Sequence, residues 1–320
     1  MDYVNLGQSG LKVSRACLGA MNFGTSENAP CDEVEAKRII DSFLEQGHNF
    51  IDTANVYTGG QSEQVVGRAI KEKRHSVVLA TKARGPQGTG PNDMGTSRVH
   101  LQRALEASLK RLDTDYIDLY QMHAWDPDTP IEETMATLDG FVRAGKVRYI
   151  GCSNYTGSQI VESQWAASRQ NGTPFTALQP RYSLLARDIE ADVLPACQRH
   201  GLGTLVYSPL AGGMLTGKYK QNEDPAADTR FGRRGRAGTA ALNDRNFEIV
   251  HEVEDVAGEI GSTATAVSIA WCLTRRGVTS AIIGPRTLQQ QDECLLGFDL
   301  ELSDTLVKRL SDASRPAGRR

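Results

Sequence analysis

The chain has 320 residues, 39% of them hydrophobic and 23% charged, with 31 Gly and 12 Pro; this ordinary globular usage excludes a disordered, collagen-like or coiled-coil protein. Its 36 basic and 39 acidic residues leave a net charge of -3, without the one-signed field of a nucleic-acid or polybasic membrane binder, so a small molecule is the expected partner. The length suits either two average domains or one closed α/β barrel.

Six scattered cysteines (Cys17, Cys31, Cys152, Cys197, Cys272 and Cys294) form no C-x-x-C pair and have no His at zinc-ligand spacing, so they are expected to be reduced core thiols, with no metal. Met1 to Gly10 has no apolar run of signal-peptide length, and no window reaches the ~20 apolar residues of a membrane span. A soluble, cytoplasmic protein is expected.

In chain order, Tyr3-Val4-Asn5-Leu6 and Leu11-Lys12-Val13 flank a turn-rich quartet and predict a β-hairpin. Ala36, Ile39, Ile40, Phe43 and Leu44 then recur at helix spacing behind a candidate N-cap, Asp32, and stop at Gly47. Asn49-Phe50-Ile51 follows as a strand. The Gly/Pro-rich segment Arg84–Gly95 reads as a long loop, and Leu101, Leu105, Leu109 and Leu112 predict a helix after Ser97. Next come the strand Ile117–Met122, a helix of Met135, Leu138, Phe141 and Val142 behind Thr129-Pro130, and the strand Val147–Ile150. A long loop is expected at Ala211–Asn243, then helices near Asn246–Glu259 and Thr263–Arg275. The tail Ser314–Arg320 is polar and expected to fray.

Strand-like runs end at Gly19, Asp52, Lys82, His123, Ser153, Gln179, Tyr207 and Gly284. The first seven ends lie 26 to 41 residues apart, room for one strand, one helix and two loops; the last gap is 77. Strands alternating with helices imply a parallel sheet with right-handed crossovers, and eight units imply a (β/α)8 TIM barrel. The expected organisation is thus one domain, 1–320, with the N-terminal hairpin and an extra C-terminal helix.

Barrel active sites lie at the C-terminal ends of strands. Asp52, Tyr57 five residues beyond it, Lys82 and His123 would therefore bring an acid, a phenol, an amine and an imidazole to one mouth. Singly, each suits a structural role: a turn cap, an ion-pair partner, a histidine under a loop. Together they make chemical sense. A strand-end Lys carries a desolvation cost that a carboxylate offsets, and an ammonium beside a phenol is expected to bring the phenol toward the working range of a general acid.

These residues carry a resemblance. Asp52-Thr53-Ala54-Asn55-Val56-Tyr57, with Lys82 and Gln121-Met122-His123, resembles the catalytic tetrad of the aldo-keto reductases. Leu6–Ser14 and Leu18–Gly24 resemble the opening of that family's bacterial and potassium-channel-β-subunit-like branch, and the match runs from about Asn5 to Phe298. The resemblance implies hydride transfer from NADPH to an aldehyde or ketone. Tyr57 would be the proton donor, Lys82 and Asp52 would tune it, and His123 would orient the carbonyl.

No G-x-G-x-x-G follows a strand, which argues against a Rossmann site. Ser153, Asn154 and Gln179 have the donors and acceptors to hold a carboxamide. The resemblance places Tyr207 on the nicotinamide face, Ser208-Pro209-Leu210, Gly212 and Lys218 at the pyrophosphate, and Gly19, Met21 and Gly284 along the cofactor. Gly212–Lys218 fits G-x-x-x-x-G-K, but Tyr219 replaces the Mg²⁺-binding Ser or Thr, so a P-loop is rejected. Gly284-Pro285-Arg286-Thr287 opens a helix carrying Gln290 and Glu293, where an Arg suits a 2′-phosphate; this favours NADPH over NADH. Cys294 replaces the branch's adenine-binding Asn. Arg230 is expected at the cofactor, and Arg233, Arg234 and Arg236 on a solvated face. Trp125, Met21 and Phe23 are candidates for an apolar substrate wall or for packing under loops.

Two other functions keep a sequence basis. A strand-end Lys in a barrel also suits a Schiff-base aldolase, and the channel-subunit resemblance suits a non-catalytic nicotinamide-nucleotide sensor. Substrate and oligomeric state are not legible.

Overall fold

A computed structural model of the chain describes residues 3–25, 29–235 and 240–316. Eight parallel strands close into a barrel: β3 (Ala16–Gly19), β4 (Phe50–Asp52), β5 (Val78–Ala83), β6 (Ile117–Met122), β7 (Val147–Ser153), β8 (Ala177–Gln179), β9 (Gly203–Tyr207) and β10 (Val278–Ile283), with β10 paired to β3. The eight expected strand ends agree with this sheet to within one residue; β5 runs one past Lys82, and His123 and Gly284 follow their strands directly.

β1 (Tyr3–Asn5) and β2 (Lys12–Ser14) form the predicted antiparallel hairpin and plug the N-terminal end of the barrel. Leu6 and Val13 are buried against the inward residues Cys17, Phe50, Leu119 and Leu205. The approach is close: Gly7 has φ 59°, and a Cβ there would lie 2.3 Å from the Gly201 carbonyl oxygen.

Local chemistry sets the helices. Asp32 caps Glu33–Glu45 by accepting from the Glu35 amide, and the buried stripe is Ala36, Ile39, Ile40 and Phe43, as the spacing predicts. Ser97 caps Arg98–Leu112, and Thr263 caps Ala264–Thr274. That last helix is buried from Thr265 to Leu273, because helix Asp304–Ala313 covers its far side; Trp271 Nε1 donates to Ser311 Oγ at 3.0 Å. This is the expected extra C-terminal helix. Beyond it, Ser314 corrects the expectation of fraying: it is 4% exposed and accepts from Arg187 at 2.9 Å. Residues 317–320 lie outside the described residues. The long 211–243 segment is also more ordered than expected, with a 3-10 turn at Ala211–Thr216 and a helix at Arg230–Arg234. No single described helix is long and apolar enough to cross a membrane.

Candidate active site

β4 ends by delivering Asp52 to the mouth, where it is 2% exposed. Its Oδ2 accepts from the Lys82 ammonium, and its Oδ1 from Gln121 Nε2 at 3.1 Å and Gln179 Nε2 at 2.8 Å. Lys82, in register with Gln121 on β6, is fully buried. Its ammonium also donates to the Thr53 carbonyl at 2.9 Å and to the Tyr57 hydroxyl oxygen at 3.2 Å. Lysine can only donate, so the Tyr57 oxygen receives that bond and its own O–H is free to point elsewhere.

Tyr57 rides on a tight turn. Thr58, Gly59 and Gly60 all have positive φ, and the Thr58 hydroxyl donates to the Phe23 carbonyl at 2.6 Å. His123 stands edge-on to the Tyr57 ring, 5.7 Å between centroids, and its amide donates to the Ala83 carbonyl at 2.9 Å.

The electrostatics correct one expectation. Burial pushes the Tyr57 phenol above its ordinary value of 10.0 and outweighs the lowering by Lys82, so the phenol is held protonated and is not brought toward neutrality. Burial pulls Lys82 down, but Asp52 and Tyr57 more than offset this and its value is raised. His123 is pushed down to about 4 by burial, then by Lys82 and Arg84, so near pH 7 it is a neutral imidazole with one N–H to donate.

A cavity of about 750 Å³ opens beside these groups. Asp52, Tyr57 and His123 line it, with Gly19, Met21, Ser153, Asn154, Gln179, Tyr207, Ser208, Pro209, Leu210, Gly212, Lys218, Arg230, Gly284, Arg286, Gln290 and Glu293. Lys82 lies beneath the floor. At one end Ser153, Asn154 and Gln179 already bond each other: Ser153 Oγ donates to the Gln179 carbonyl at 2.7 Å, and Asn154 Nδ2 to Ser153 Oγ at 3.0 Å. Asn154 Oδ1 accepts from the Tyr207 hydroxyl at 2.8 Å. At the other end Lys218 is held below its ordinary value, first by burial and then by the charges of Arg286 and Arg230, against Asp228 and Glu293. Gln290 Oε1 accepts from the Arg286 amide at 2.9 Å, and Glu293 from the Thr265 hydroxyl at 2.6 Å, so both shape the pocket as well as lining it.

Several expectations are corrected. Of the two alternatives for Phe23, it takes packing, being fully buried; Trp125 is half-buried, packs edge-on to Tyr155 at 5.2 Å and, like Phe23, is not part of this cavity's lining. Arg233 is exposed, as expected of a solvated face, and donates to the Asp228 carbonyl at 2.7 Å, while also bordering the cavity. Arg236 lies outside the described residues, as does any account of the Arg234 side chain. Cys294 is a buried part of the lining. Sequence reasoning missed Asn22, Pro30, Thr216 and Thr265. Asn22 had a faint signal, a polar residue just past the first strand end; its Nδ2 donates to the Gly284 carbonyl at 3.1 Å and ties the first barrel loop to the last. Thr265 had none.

The aldo/keto reductase family model matches residues 15–315. An uncharacterised oxidoreductase of Bacillus subtilis, YrpG, is 40% identical over 98% of this chain and 95% of its own length. A probable voltage-gated potassium channel subunit beta of Arabidopsis thaliana is 38% identical over 94% of this chain and 92% of its own. The norsolorinic acid reductase of Aspergillus flavus is 33% identical over 95% of this chain and 79% of its own.

Proposed function

Since the chain belongs to the aldo/keto reductase family, we propose that it reduces aldehyde or ketone carbonyls to alcohols with NADPH, Tyr57 being the general acid. The observation that carries this is the Tyr57 hydroxyl, facing the cavity and accepting from the buried Lys82 ammonium at 3.2 Å. The whole chain acts as one barrel domain, and its six buried thiols suit a reducing, cytoplasmic setting.

The cavity suits a dinucleotide on three counts. Its volume is about 750 Å³. Gly19 keeps its rim open where a Cβ would meet Ile282 Cγ2 at 2.7 Å. Lys218, Arg230 and Arg286 gather at one end with mutual repulsion that an anion relieves. Ser153, Asn154, Gln179 and Tyr207 would hold the nicotinamide end, and Ser208–Leu210, Gly212 and Lys218 the pyrophosphate. Arg230, Arg286, Gln290 and Glu293 would hold the adenosine phosphate. When bound, the reduced nicotinamide supplies the hydride.

The protein supplies the rest. Neutral His123 donates its N–H to the carbonyl oxygen and orients it. As charge develops on that oxygen, Tyr57 passes it a proton, and the adjacent ammonium stabilises the phenolate left behind. Asp52 keeps the ammonium charged and fixed.

A Schiff-base aldolase needs a neutral amine that reaches substrate, whereas Lys82 is fully buried, paired and raised in pKa. Assay a carbonyl panel with NADPH and NADH, with Tyr57→Phe as control. Turnover is expected to fall by ~10²–10⁴ in the variant while NADPH still quenches protein fluorescence. Full turnover by the variant, or borohydride trapping of an imine, sinks the proposal; nucleotide binding with no turnover of any carbonyl points to a sensor.

A further inference from the structure

Arg84 stands beside the cluster of Asp52, Tyr57, Lys82 and His123, and its side chain makes no hydrogen bond or ion pair among the described residues. It lies one residue beyond Ala83, whose carbonyl accepts from the His123 amide at 2.9 Å. On its other side is Gly85, packed so tightly on the segment before Tyr57 that a Cβ there would lie 2.5 Å from Val56 Cγ1. The backbone thus wedges Arg84 between the segments that carry His123 and Tyr57.

Its conformation is costly. Arg84 has φ 137°, a region that a bulky residue avoids, and its carbonyl accepts from Gly95 at 2.9 Å to close the base of the 84–95 loop. The side chain is partly buried, its Nε is sealed from solvent without a hydrogen-bond partner, and its guanidinium makes no ion pair among the described residues. Its charge reaches both His123 and Tyr155.

The carboxylate whose charge also reaches Tyr155 is already satisfied. Asp126 accepts from the Thr96 amide at 2.7 Å, the Thr129 hydroxyl at 2.8 Å and the Asp128 amide at 3.2 Å. Arg84 also lies outside the lining of the cavity proposed for NADPH. A strained, half-desolvated guanidinium that is left unpaired next to a carbonyl-orienting histidine is a cation kept for a ligand.

Building on the reductase reading, we infer that Arg84 is a specificity-determining residue that pairs with an anionic group on the substrate. The preferred substrates are carbonyl compounds bearing a carboxylate or similar anion. The test pairs 4-carboxybenzaldehyde with its neutral methyl ester, assayed with NADPH on the native enzyme, Arg84→Gln and Arg84→Lys. Losing a charge-assisted bidentate contact should lower kcat/KM for the acid by roughly 10- to 100-fold in Arg84→Gln, chiefly through KM, and leave the ester within about threefold. Arg84→Lys should recover part of the loss.

Binding of 4-(hydroxymethyl)benzoate and its methyl ester, measured by calorimetry in the presence of NADP⁺, reads the same contact without turnover. The native protein should bind the acid more tightly, and Arg84→Gln should abolish that difference. Equal losses on acid and ester, no loss on either, or a matching loss of NADPH affinity overturns the assignment. If neither aldehyde turns over, the reductase reading fails, and the calorimetric comparison still decides the role of Arg84.

Discussion

Replacing Asp52 with Asn tests the charge arrangement while almost preserving its shape. The native carboxylate faces only donors: the Lys82 ammonium, Gln121 Nε2 at 3.1 Å and Gln179 Nε2 at 2.8 Å. An amide must turn its NH₂ group toward at least one of them. It also leaves a fully buried ammonium with neutral acceptors only, the Thr53 carbonyl at 2.9 Å, the Tyr57 oxygen at 3.2 Å and at most the Asn amide oxygen. Stripping one partner from a buried ion pair costs about 3–5 kcal/mol. With an unfolding entropy of about 2.1 cal/mol/K per residue, that lowers the Tm of a 320-residue chain by roughly 5–7 °C.

The pH dependence gives a sharper test of the same substitution. Native Lys82 is raised above 10.5, so its contribution is complete below that pH and is lost as pH climbs through the folded value. In Asp52→Asn burial acts without the carboxylate and the folded value drops below 10.5, so the variant gains stability as pH rises toward 10.5. Guanidinium denaturation followed by tryptophan fluorescence from pH 7 to 10.5 should show a wide gap between the two proteins that narrows with pH. A variant as stable as the native chain at pH 7, or a constant gap, refutes the buried pair.

His123, held at about 4 instead of 6.5, contributes stability present above pH 6.5 and lost as pH falls toward 4. His123→Gln should therefore flatten the acid limb of the stability profile by up to ~1.4 kcal/mol per pH unit; an unchanged limb argues against a buried neutral imidazole. Lys218 is depressed below 10.5 by burial and by neighbouring guanidiniums, so a phosphorylated ligand should raise it, and NADPH binding should take up protons as the pH is raised into the alkaline range toward 10.5. Calorimetry in buffers of differing ionisation enthalpy reads this directly, and proton release would contradict it. Gly67→Ala sets a helix-propensity gain of about 1 kcal/mol against a Cβ 2.5 Å from the Leu112 carbonyl oxygen on the neighbouring helix. Overpacking on backbone wins, and denaturation should show a net loss of about 1–2 kcal/mol.

The barrel was legible because each barrel strand ends on, or within one residue of, a polar residue or glycine, and several helices open on a capping side chain; Asp32, Ser97 and Thr263 all cap as their positions imply. The cluster of Asp52, Tyr57, Lys82 and His123 was legible because strand ends are where a barrel displays chemistry. Side-chain direction in the loops was not. Phe23 and Trp125 follow strand ends just as Met21 does, yet their rings turn into the packing, and no local pattern records that choice. The direction of the Tyr57 shift was illegible for a different reason. Opposing effects of burial and charge decide it, and burial is a property of the whole fold. Arg233 is as exposed as its charge implies, but helix Arg230–Arg234, too short to show a period, also sets it at the edge of the cavity, which the sequence does not record.

The hairpin that seals the lower end makes the barrel a blind cylinder with one door. Any molecule that reaches the Tyr57 hydroxyl must enter and leave by the rim that a dinucleotide would also occupy, from Gly19 across to Glu293. On the proposed reading, cofactor and carbonyl compound would both have to pass that one rim. With Leu6 and Val13 packed over the filled interior at the far end, all exchange is left to that rim.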